Sequence, residues 1–175
     1  MNFRILFISL FLLSACSTGI PPKIKTVEGF QLDRYLGTWY EIARLDHSFE
    51  RGMDNVTADY SLREDGGVRV LNRGFKVQQQ RWDEAEGKAY FVGSSDTAHL
   101  KVSFFGPFYG SYIVFDLDKQ DYQYSMISGA DTGYLWILAR KPELDAATLQ
   151  RLIAKAEAAG FDTSQLIYVA QNRQP

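Results

Sequence analysis

Few residues in this chain could do covalent chemistry. Of its 175 residues two are histidines, His47 and His99, and one is a cysteine, Cys16. No metal-ligand or nucleophile spacing surrounds either histidine, and they fall in or near predicted turns far apart in the chain. The chemistry left open is that of binding. Glu41 stands in the alternating run Gly37-Thr38-Trp39-Tyr40-Glu41-Ile42-Ala43-Arg44, and a buried carboxylate needs a partner. That partner is either a structural contact near the base of the fold or the head group of a ligand. Trp39 and Arg140 are a second candidate pair, since a guanidinium over an indole contributes about 0.5–2 kcal/mol. A hundred residues separate the two, so the elements between them must form a wall that returns to its start.

Length and composition set the frame for that wall. A chain of 19.9 kDa holds one domain with a substantial core. Net charge is −2 and the pI is near 5.7, with both signs mixed along the chain. No basic run or stripe is present, which argues against a nucleic-acid partner. The load of 12 Phe, 10 Tyr and 3 Trp favours strands. No internal repeat is visible.

The N-terminus reads as an address. Arg4 precedes an apolar run from Ile5 to Leu13, shorter than the roughly 18–20 residues that span a bilayer, as in a secretory signal. It ends in Leu13-Ser14-Ala15-Cys16, which resembles the bacterial lipobox whose cysteine is lipid-modified. Residues 1–15 are therefore expected to be a lipoprotein signal peptide and 16–29 a lipidated tether containing Pro21-Pro22. Acylation at Cys16 would hold the chain at a membrane, and two chains suffice for stable attachment. Ser17 after the cysteine implies, by the habits of that family of signals, the outer membrane. As the only cysteine, Cys16 can form no intramolecular disulfide.

From residue 30 to 175 the pattern is all-β. Val56, Ala58, Tyr60 and Leu62 alternate with polar neighbours, Asp65-Gly66-Gly67 marks a hairpin, and Val68 and Val70 alternate on the return. Further runs cover Trp82–Val92, Leu100–Phe104, Ser111–Leu117, Tyr122–Ile127 and Tyr134–Arg140. Eight sequential antiparallel strands leave no exposed edge if they close into an up-and-down barrel. One helix is expected, capped by Asp145 and stopped by Gly160, followed by a short final strand at Leu166–Val169.

Alternate turns of such a barrel share an end. Gly37, Trp39 and Arg140 then mark a closed floor, with Arg140 over the indole. Residues 46–55, 77–81, 105–110 and 129–133 form the opposite mouth. Phe49, Met53, Phe105, Phe108 and Tyr109 fall in that mouth, where turns are normally polar; they either cover one another or form a lip for lipid or a partner. Counting from Trp39, the inward residues of the first strand are Glu41 and Ala43. The second and third strands contribute Ala58, Tyr60, Val68 and Val70. Leu100, Val102 and Phe104 come next, then Tyr112 and Val114. Tyr134, Trp136 and Leu138 close the circuit. Alternation leaves open whether Tyr90 or Phe91, and Tyr124 or Ile127, point inward.

Gly37-Thr38-Trp39 is similar to the G-x-W signature of the lipocalins, and Arg140 stands where that family's third motif has its arginine. Residues 34–44, 46–52 and 101–110 resemble the bacterial outer-membrane lipocalins, and the likeness covers nearly all of the chain after the signal. One departure is clear. The second lipocalin motif usually reads T-D-Y-x-x-Y, and in the stretch from Asp118 to Tyr124 only Tyr124 plainly matches.

The resemblance implies a lipid-binding outer-membrane lipoprotein without cofactor, taking a fatty acid or lysophospholipid into its barrel for storage, transport or membrane repair. A second class is an assembly protein that docks a partner or forms a homodimer through its apolar mouth. A third, a lipid-converting enzyme, has little behind it, since neither a nucleophile nor a metal spacing is present and no cysteine lies in the barrel.

Overall fold

A computed structural model describes residues 18–173; the signal segment and Cys16 lie outside them. Eight strands follow in order: β1 (Gly37–Arg44), β2 (Met53–Leu62), β3 (Val68–Lys76), β4 (Arg81–Phe91), β5 (His99–Phe105), β6 (Phe108–Leu117), β7 (Tyr124–Ser128) and β8 (Leu135–Ala139). Each pairs antiparallel with the next, and β1 pairs with both β2 and β8, which closes the barrel. A one-turn helix α1 (Leu32–Tyr35), not foreseen in the sequence, precedes β1, and α2 (Ala146–Ala159) follows β8.

Alternation sends side chains into two separate cores. The inner one gathers Trp39, Tyr60, Val70, Leu100, Val114, Ile127 and Leu138 inside the barrel. The outer one packs Ile42, Ile113, Met126, Ile137 and Phe115 against Leu152 and Ala156 of α2. The helix forms as its sequence directs. Asp145 Oδ1 accepts from the Thr148 N–H at 2.9 Å, and Gly160 at φ +98° takes the left-handed turn that ends it. The two open choices resolve the same way: Phe91 and Ile127 join the inner core. Tyr90 turns out to bond Asp65, and Tyr124 packs beneath the Arg151 guanidinium.

One expectation fails at β1. Its register against β8 runs Tyr40–Ala139 and Glu41–Leu138, then slips to Ala43–Ile137 and Arg44–Trp136. The extra residue is a β-bulge, which reverses the parity of everything beyond it. Ala43 therefore faces the outer core under α2 rather than the cavity. Arg44 takes the inward place, 1% exposed.

Both ends of the described stretch are built into the wall. The part of the expected tether that is described folds onto the barrel from Gly19 onward. Ile24 and Val27 are buried, Val27 N–H donates to Val114 O, and Ala98 N–H donates to Val27 O. Phe30 continues under the floor into the inner core. At the other terminus β9 (Ile167–Tyr168) pairs with Ala43 and Arg44. There β1 and β2 have parted, since their own pairing stops at Tyr40–Thr57. Gln171 bridges the gap, its amide donating to Glu41 O at 2.8 Å and Val56 O at 2.9 Å.

Candidate ligand chamber and its mouth

The floor is assembled around Trp39. Its indole is fully buried, its N–H donates to Tyr35 O at 2.8 Å, and the Arg140 guanidinium lies 4.0 Å above the ring. Arg140 also donates to Thr38 O at 2.9 Å and Arg34 O at 2.7 Å. Gly37, at φ +87°, lets the chain turn there beside the Arg140 guanidinium. The shared end predicted for Gly37, Trp39 and Arg140 is thus what the fold builds. Sequence reasoning missed Tyr122. Buried at φ +54°, it accepts the Gln31 N–H at 3.0 Å and lies under the Arg34 guanidinium at 4.2 Å.

Above the floor lies a cavity of about 20 Å³. Tyr60, Val68, Val70, Leu100, Val102 and Tyr112 line it as expected, joined by Ala89 and, from the segment before β1, Phe30, Leu32 and Tyr35. Ala58, Phe104, Val114, Trp136 and Leu138 belong to the inner core around it. Pockets for small ligands commonly measure about 300–1,000 Å³. This cavity has room for about one water.

One line of hydroxyls crosses this chamber. Tyr35 Oη lies 3.0 Å from Ser125 Oγ and 2.8 Å from Tyr112 Oη, which in turn lies 2.9 Å from Tyr60 Oη. Burial pushes the Tyr35 phenol up to about 12 and those of Tyr60 and Tyr112 well above their ordinary range. All three are neutral at physiological pH, so the chamber walls carry no charge.

Charge is concentrated just under the mouth. Because of the bulge, Arg44 and Glu41 point the same way, and Nη1 donates to Oε1 at 2.6 Å. Arg44 Nη2 donates to the carbonyls of Glu50 at 2.8 Å and Met53 at 3.2 Å, which ties the loop after β1 back over the barrel. Glu50 Oε2 accepts the Trp136 indole N–H at 3.1 Å and lies 3.0 Å from His47 Nε2. Burial, reinforced by the Glu50 charge, holds the Glu41 carboxyl well above the usual range despite Arg44. Burial also pushes Glu50 upward, but the contacts with His47, Trp136 and Glu41 outweigh it and leave Glu50 lowered. Of the two carboxyls, Glu41 is the one pushed toward its protonated form and Glu50 toward its charged form.

An aromatic stack covers this network. Trp136 and Tyr134 stack at 6.0 Å, Tyr134 and Phe49 at 6.5 Å, and His47 sits 5.0 Å from Trp136. Phe49 is nevertheless 64% exposed, and Phe105 and Phe108 are 75% and 65% exposed. Met53 and Tyr109 are half-buried. The apolar mouth residues thus do not close into one cluster. His99 begins β5 at the floor end, remote from His47 in the mouth loop. Among the described residues no group of His, Cys, Asp and Glu is arranged to hold a metal ion.

Comparison with known proteins agrees with this geometry. Residues 30–171 match the family model of a lipocalin-like domain. The chain is 55% identical over 160 residues to the "Outer membrane lipoprotein Blc" of Vibrio cholerae, covering 91% of this chain and 93% of that one. Its counterpart of the same name in Escherichia coli K12 is 51% identical over 162 residues, covering 92% and 91%. Temperature-induced lipocalin-1 of Arabidopsis thaliana is 35% identical over 163 residues, covering 87% and 86%. Among solved structures, insecticyanin of the tobacco hornworm superposes with a TM-score of 0.67 over 86% of each chain, at 20% identity, a likeness of fold alone.

Proposed function

The chain belongs to the lipocalin family, and from that premise we propose that it is a lipid-binding lipoprotein of the outer membrane, anchored through Cys16, that holds an acyl chain in its barrel without converting it. The relatives that carry the outer-membrane lipoprotein name align with more than nine-tenths of this chain, which supports the location.

The observation that carries the reading is the division of the interior into two zones. An uncharged, mostly apolar chamber lies over the Trp39 floor, and a buried polar network of Glu41, Arg44 and Glu50 lies under the mouth. An amphiphile with a single tail matches that order: tail below, head group above. A fatty acid or a lysophospholipid has this shape, and transport or repair of membrane lipid is the role such binding would serve. Burial of the tail drives the process at about 25 cal/mol per Å² of apolar surface. Since the cavity measures about 20 Å³, binding must displace side chains of the inner core. Affinity is then the balance between tail burial and repacking.

Titration with long-chain fatty acids and lysophospholipids, followed by tryptophan emission and native mass spectrometry, tests this. The stack of Trp136 on Tyr134 makes the indole a reporter of the mouth. A change in emission at one-to-one stoichiometry is expected. Unchanged emission together with a ligand-free mass spectrum would refute the reading.

A further inference from the structure

The N-terminal segment shows where an anchor at Cys16 would join the barrel. Thr18 and Gly19, the first residues described, lie on the outer wall of β5 and β6. The Ser111 hydroxyl donates to Gly19 O at 2.9 Å, and the His99 ring bonds the Thr18 backbone. Cys16 stands two residues before Thr18, a reach of roughly 7 Å at 3.3–3.6 Å per residue. An anchor that short cannot let the barrel turn freely above a leaflet. Attachment there would hold the β5–β6 wall against the lipid.

That wall has the side chains such a contact needs. Three residues along β6 from Ser111, about 10 Å at 3.3 Å per residue, the hairpin between β5 and β6 projects Phe105 and Phe108, two of the most exposed large apolar side chains described. Below the tip, Tyr90 of β4 pairs with Lys101 of β5, which pairs with Ser111 of β6, so these face outward in one row. The Lys101 ammonium lies 5.1 Å from the centre of the Tyr109 ring, and Tyr90 and Tyr109 meet at 6.5 Å. Phenylalanines at a tip, with tyrosines and a lysine behind it, match the order from acyl region to head groups at a lipid surface.

We propose that the β5–β6 hairpin is the membrane-contact face of the barrel, with Phe105 and Phe108 seated in the lipid and the Tyr90–Lys101–Tyr109 strip at head-group level. The barrel then lies with this wall toward the leaflet and its mouth rim in contact with it, while β1 and β9 face away. The proposal rests on anchoring at Cys16 and adds the orientation that a short anchor imposes. Its ligand is the lipid surface itself, separate from the molecule held inside.

The full lipidated chain, reconstituted into phosphatidylethanolamine–phosphatidylglycerol vesicles with brominated acyl chains, tests it. Phe108→Trp puts a reporter at the tip, and Tyr168→Trp puts one on exposed β9, across the barrel. The emission that Phe108→Trp adds to the parent should be largely lost to bromine quenching, and that added by Tyr168→Trp retained. Vesicle-bound protein in which the tip reporter is unquenched, or in which β9 is quenched instead, would overturn the orientation. Unquenched tip emission that shifts with the protein-to-lipid ratio would assign the hairpin to a second copy and also overturn it. Protein that fails to float with the vesicles would overturn the anchoring itself, an outcome distinct from a wrongly turned barrel.

Discussion

Glu41 and Arg44 lie three residues apart on one strand, yet their side chains meet inside the barrel at 2.6 Å. In a regular strand that spacing sends them to opposite faces. The bulge at Ile42 brings them together, and the order of the mouth follows from it.

The opposed shifts of Glu41 and Glu50 give the mouth a two-sided pH dependence. The raised Glu41 carboxyl favours folding while it keeps its proton. Its contribution is complete below the ordinary glutamate range, about 4.3, and declines as pH rises toward its higher folded value. The lowered Glu50 carboxyl acts in the opposite sense, contributing above that range and losing its contribution as pH falls through its lowered value. Urea midpoints against pH should therefore show that Glu41→Gln flattens the loss toward alkaline pH. Glu50→Gln should instead destabilise the neutral protein.

Removal of Arg44 should be far more costly. Arg44→Ala takes the donor from Glu41 and from the carbonyls of Glu50 and Met53 at once. Leaving one buried acceptor without its donor costs about 1–3 kcal/mol, and here three lose theirs. Denaturation should show a loss of that size, and hydrogen exchange should quicken at residues 46–52. An unchanged mouth loop would mean that the network does not hold it.

At the floor, Arg140→Ala removes a cation from the Trp39 face and two hydrogen bonds. A loss of about 1–3 kcal/mol is expected, from the cation–π contact and two hydrogen bonds to exposed residues. Arg140→Lys should recover only part of it, since an ammonium cannot cover the ring and reach both carbonyls in the guanidinium's planar geometry. Chemical denaturation of the three proteins ranks them.

Stability and binding should trade against each other in the chamber. Leu100 lines the small cavity and is 5% exposed. Leu100→Ala should cost about 2–5 kcal/mol by enlarging the void. The same void spares a bound acyl chain part of the repacking, so fatty-acid affinity should rise. Paired denaturation and titration measure both; a weaker affinity in the enlarged chamber would contradict ligand entry by displacement of the core.

The barrel, its closed end and the cap of α2 were legible because each rests on local pattern. Strict alternation, Gly37 before Trp39 and Asp145 before Ala146 are readable without a partner strand. Arg44 was not. A charged residue at a strand end reads as a surface residue, and only the register against β8 reveals that it turns inward while Ala43 turns out. Ile24, Val27 and Phe30 were equally hidden, since isolated apolar residues after Pro21-Pro22 carry no periodicity. Tyr122 and Tyr35 act through rings and hydroxyls whose partners lie about 90 residues away.

The seam between β1 and β2 has a bearing on how the chain matures. The gap where they part is filled by β9 and Gln171, whose bonds to Glu41 and Val56 span 130 and 115 residues. Until they arrive, the upper end of the first strand has unpaired backbone groups, and contacts so distant in sequence form slowly. A chain delivered amino end first thus carries an open-sided sheet that zips shut only once β9 is through. Ile167, Tyr168 and Gln171 act as a completion mark, so that their loss would leave an unclosed edge exposed to other chains.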